Sequence, residues 1–68
     1  MYPNLKAEMA RRGVTYMQLA AVIGVTLATM SRKANGLSDF TLTEAYAIKD
    51  YLGLNMSIDV LFKKAVAS

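Results

Sequence analysis

The chain opens and closes helices at intervals too short for anything but small ones. Pro3 suits a first helical turn, where its missing N–H costs nothing, and Gly13 stops that helix. Thr15 opens the next helix, with Gln18 three residues on to complete a capping box, and Gly24 ends it. Thr26 opens a third helix that ends at Gly36. Thr41 with Glu44 is a second capping box, and Gly53 closes the helix it starts. Ser57 caps a short last helix. Between these marks the apolar residues keep helical spacing: Leu5 and Met9; Leu19, Ala20 and Ile23; Met30 and Ala34; Leu42, Ala45, Ile48 and Leu52; Ile58, Leu61 and Phe62. No stretch alternates with a period of two, so no strand is expected. The pattern predicts an all-α fold, a compact bundle of about five short helices.

Such a chain must make its core efficiently, because a domain of this size buries only about 60% of its unfolded surface. With 54% hydrophobic residues in 68, one domain over residues 1–68 is the expectation, with no repeat and no linker. There is no cysteine and no histidine. That excludes a disulfide framework and thiolate zinc sites, and removes the commonest general base. No metal or cofactor is expected. The stretch before Gly13 has no apolar signal-peptide core, and the longest apolar run, Leu19 to Val25, is far too short to span a bilayer. A cytoplasmic protein without membrane attachment is the expectation.

Charge is divided unevenly. Residues 1–38 carry Lys6, Arg11, Arg12, Arg32 and Lys33 against Glu8 alone, whereas residues 39–68 carry three lysines against four carboxylates. A basic half suggests a polyanionic partner.

The stretch TYMQLAAVIGVTLATMSRKANG sharpens that suggestion. Ala20 is small where a second helix must cross closely, Gly24 makes the turn, and Val25 and Met30 plug the angle between the helices. This is the spacing of a helix-turn-helix. Here the sequence resembles the Cro/repressor-like helix-turn-helix family, also described as XRE-type or lambda-repressor-like. The likeness extends through FTLTEAYAIKDYLGL, like the family's fourth helix, and IDVLF, like its closing helix, and so covers about residues 4–62. The chain departs from the family in places. Tyr16 stands where the family usually has a phosphate-contacting Gln. Met9 and Ala34 stand where many members bury an Arg–Glu pair. Lys33 occupies a commonly apolar position, its stem expected along the core edge. One or two extra residues fall in LNMS, before the last helix.

The resemblance implies a DNA-binding transcriptional regulator of phage or bacterial type. It would act as a homodimer on double-stranded DNA, with a recognition helix over about residues 27–34 in the major groove. Base contacts would come from Leu27, Ala28, Thr29 and Arg32. The first two can only pack on a thymine methyl; Arg32 can fork onto guanine. Phosphate contacts would come from Thr15, Tyr16, Thr26, Lys33, Asn35 and Ser38. No small-molecule substrate is implied.

Other residues have plainer readings. Arg11 and Arg12 are expected as a solvated helix end, Lys63 and Lys64 as charges favouring a helix C-terminus. Met9, Met17, Met30 and Met56 are expected in or near the core. Tyr46 and Tyr51 are expected half-buried. Val60 and Phe62 are open to two readings, dimer surface or ordinary packing. The carboxylates suggest no paired acid–base site, and no catalytic residue is expected. The alternative to a DNA reader is a protein-interaction module on the same fold, antitoxin- or antirepressor-like. Arg32→Ala would disable the first, Phe62→Ala the second.

Overall fold

The computed structural model describes residues 1–65. Its helices are α1 (Pro3–Arg12), α2 (Tyr16–Ile23), α3 (Leu27–Ala34), α4 (Leu42–Leu52) and α5 (Ile58–Leu61), and the described residues include no strand. The expected caps are formed. Thr15 Oγ1 accepts the Gln18 N–H at 3.3 Å while Gln18 Oε1 accepts the Thr15 N–H at 2.7 Å. Thr41 and Glu44 make the same exchange at 3.1 and 2.9 Å. Thr26 caps α3 through the Thr29 N–H at 3.1 Å, and Ser57 caps α5 through the Val60 N–H at 3.3 Å. Each cap satisfies an otherwise orphaned backbone donor and contributes about 1 kcal/mol.

Gly24 stands at φ +72°, and the Val25 N–H closes the end of α2 on the Ala20 carbonyl at 3.0 Å. A Cβ on Gly24 would meet nothing within 4 Å, so the left-handed backbone alone requires glycine.

The helices converge on one core. Its largest fully buried side chains are Leu5, Leu19, Met30, Ile48 and Leu61, one from each helix. α2 packs on α3 and α4, and α1 and α5 pack on each other and on α4. Met9 and Ala34 are both buried, so apolar packing fills the place where an ion pair was the family alternative. Tyr2, Phe40 and Phe62 close one end of the core as a mutually tilted trio, with ring centroids 5.1 to 5.7 Å apart.

Four expectations need correction. Met17 is 66% exposed. It lies about 100° around α2 from Tyr16 and shares the outward face with Ala21. Phe62 is held in the aromatic trio, so Phe62→Ala would open the core rather than probe a partner; Val60, 46% exposed, is the cleaner probe. Arg12 is not simply a solvated helix end. Its Nε donates to the Leu52 carbonyl at 2.8 Å and its Nη1 to Glu8 Oε1 at 2.6 Å, while Arg11 pairs with the other Glu8 oxygen. Glu8 is buried, and this pair of arginines is what makes that possible. Arg12 thereby ties the end of α1 to one of the open carbonyls in the last turn of α4. Tyr46 and Tyr51, expected half-buried, are exposed at 49% each.

Candidate nucleic-acid interface

The local sequence decides what α3 shows to solvent. Met30 and Ala34, four residues apart, turn into the core. The residues off that stripe are left outside. Leu27 is 47% exposed, Ala28 is exposed and Thr29 is half-buried. Thr26 Oγ1 donates to Thr29 Oγ1 at 3.0 Å, which fixes both hydroxyls at the start of the helix. The first turn therefore offers a leucine side chain, an alanine methyl and one threonine, and very little hydrogen-bonding capacity. One turn on, Arg32 is exposed, and its guanidinium has no partner among the described residues.

The end of α3 is locked by its own backbone. The Gly36 N–H bonds the Lys33 carbonyl at 3.1 Å and the Leu37 N–H bonds the Arg32 carbonyl at 2.9 Å, the paired closure of a Schellman motif. Gly36 takes φ +80°, and a Cβ there would stand 2.9 Å from the Met1 nitrogen. Asn35 is exposed, Ser38 half-buried, and the Asn35 amide reaches Ser31 Oγ at 3.4 Å.

On the flank, Thr15 is exposed at the N-terminus of α2, and Tyr16 is half-buried against the core. Thr26 is exposed at the N-terminus of α3. Lys33 differs from the other candidates. Its side chain is only 12% exposed, and its ammonium donates to Glu44 Oε1 at 3.0 Å and to the Asp39 carbonyl at 2.8 Å. The stem does lie along the core edge, and the charge lies there with it.

The basic half is thus less free than its composition suggests. Arg11 and Arg12 serve Glu8, and Lys33 serves Glu44. Lys6 and Arg32 are its cations without an ion-pair partner among the described residues. Burial pushes the Glu44 carboxyl up, but the Thr41 N–H, the Lys33 ammonium and the Thr41 hydroxyl together outweigh it and hold the group below its ordinary 4.5.

Two short helices joined at a left-handed glycine, with a solvent-facing α3 and an arginine on it unpaired among the described residues, are the parts of a helix-turn-helix. A family model for the Cro/C1-type HTH DNA-binding domain matches residues 4–58. The chain belongs to this family. The match begins at the second residue of α1, takes in α2 to α4 whole and ends at the first residue of α5. The Cro/C1-type domain is a DNA-binding domain, and α2 and α3 are its helix-turn-helix here. No curated protein and no solved structure matches the chain. Among the described residues, no group of three or more His, Cys, Asp or Glu could hold a metal ion, and no helix is long and apolar enough to cross a membrane.

The arginine network escaped the sequence reading although half its signal was present. Glu8 precedes Arg11 by three residues and Arg12 by four, the spacings at which helix side chains meet. The other half, the Leu52 carbonyl, is 40 residues away and could not be seen.

Proposed function

We propose that this protein is a sequence-specific transcriptional regulator of the Cro/repressor kind, placing α3 in the major groove of double-stranded DNA. The observation that carries the reading is the free guanidinium of Arg32 on the outward face of α3, in a chain whose other arginines are spent on structure. Arg32 forks onto a guanine edge. Leu27 and Ala28 pack on thymine methyls, and Thr29 adds a methyl and its hydroxyl proton. Thr15, Tyr16, Thr26, Asn35 and Ser38 meet the phosphates, aided by the N-terminal dipoles of α2 and α3. With so few direct base hydrogen bonds, DNA shape and half-site spacing carry part of the specificity. The regulator acts as a homodimer, and no catalytic step is part of its work.

The test is Arg32→Ala on DNA. Loss of roughly tenfold or more in affinity for a selected site, with discrimination lost at one base pair, supports the reading. Unchanged affinity and specificity contradict it.

A second reading, a protein-interaction module, is favoured by Leu37 and Leu42, which are 66% and 64% exposed between α3 and the start of α4. Charged substitutions at both would abolish partner binding and spare DNA binding if that reading holds.

A further inference from the structure

Lys33 follows Arg32 directly, yet its ammonium turns inward. It donates to the Asp39 carbonyl at 2.8 Å and to Glu44 Oε1 at 3.0 Å, and it lies 5.8 Å from the centre of the Phe40 ring. All three partners belong to the segment that leaves α3 and enters α4. Glu44 Oε1 also accepts the Thr41 N–H at 2.9 Å, so one carboxylate oxygen joins the start of α4 to α3.

Neither helix end needs this cation. The Schellman closure of α3 and the capping box of α4 are complete in backbone and Thr–Glu bonds alone. An exposed ion pair would add little. This one is mostly out of water, with side-chain exposures of 12% for Lys33 and 17% for Glu44, so salt screens it weakly. What it adds is a tie between α3 and the stretch that carries Ser38, beyond the backbone closure.

We propose that Lys33 is a positioning residue for the DNA interface: bonded to Asp39 and Glu44, it holds the α3–α4 segment so that Ser38 meets the DNA backbone in register with α3, and it makes no phosphate contact of its own. The proposal rests on the DNA reading above. A direct contact and a positioning role leave different traces. Each phosphate neutralised contributes about 0.9 to the slope of log affinity against log salt. A residue that acts through its neighbours changes the affinity and leaves that slope alone.

The experiment measures binding to a short duplex carrying a site that the parent chain selects from random DNA, between about 50 and 200 mM salt. The proteins are the parent chain, Lys33→Met, Glu44→Gln, the double variant and Arg32→Ala. Lys33→Met keeps an unbranched apolar stem, and Glu44→Gln keeps the capping oxygen. The folded fraction of each is fixed by circular dichroism, and affinities are expressed per folded molecule. Lys33→Met is expected to lose roughly tenfold at every salt concentration with the slope unchanged, and to lose markedly less in the Glu44→Gln background, because the two residues act as one unit.

A slope lower by about 0.9 in Lys33→Met makes Lys33 a phosphate contact and overturns the proposal. Unchanged affinity per folded molecule makes it merely structural and also overturns it. Arg32→Ala reports on the underlying reading: binding like the parent chain rejects the α3 interface itself, and the Lys33 proposal with it.

Discussion

Adjacent residues of like charge have opposite situations in α3. Arg32 lies off the stripe defined by Met30 and Ala34 and reaches solvent; Lys33 lies closer to that stripe and is drawn to Glu44. The sequence shows both as cations and cannot say which is spent, because the partner of Lys33 is eleven residues on. The proposed thymine contacts are also a matter of single residues. Replacing thymine by uracil removes only the C5 methyl from the groove. A methyl group packed against Leu27 is worth about 0.8 kcal/mol, so uracil at the contacted position is expected to weaken binding about fourfold. Leu27→Ala should shrink that difference. Equal affinity for uracil- and thymine-containing sites, measured by fluorescence anisotropy, would remove Leu27 from the readout.

At the level of the helices, most of the fold was legible because its signals are local. A threonine three residues before a glutamine or glutamate, at the head of an apolar helical run, signals a cap from nearby residues alone, and the Thr15 and Thr41 boxes are formed as read. Long-range ties were not legible. Arg12 joins α1 to the last turn of α4, and Arg12→Ala is expected to destabilise the fold by about 1–3 kcal/mol, read by urea titration. A loss under half of that would show that Arg11 alone satisfies Glu8. The tie between α3 and α4 should respond to acid. The Glu44 carboxyl is held below its ordinary value, so its contribution is complete above about pH 4.5 and fades as pH falls through the lowered value in the folded state. Glu44→Gln should therefore flatten the decline of thermal stability below that pH. An identical decline in both proteins would place the acid-sensitive group elsewhere.

The whole molecule sets the scale of the target. It measures 32 × 26 × 22 Å, so two copies side by side can set their α3 helices about 34 Å apart, one turn of duplex. That spacing asks for a contact between copies, and Val60, exposed on α5, is the residue to perturb. Val60→Asp is expected to leave the monomer folded and to abolish cooperative binding to paired half-sites, seen by sedimentation and gel shift. The helix-turn-helix was legible from Leu19 to Gly36 because the turn glycine and its flanking apolar residues have fixed spacing. A surface for a second copy would have no such spacing, and composition alone would not reveal it.

The most direct measurement is selection of bound sequences from a random DNA pool at two salt concentrations. A dimeric reader of DNA would enrich a two-fold symmetric site with half-sites about one helical turn apart, more weakly at the higher salt. Absence of binding even at the lower salt would contradict the DNA reading.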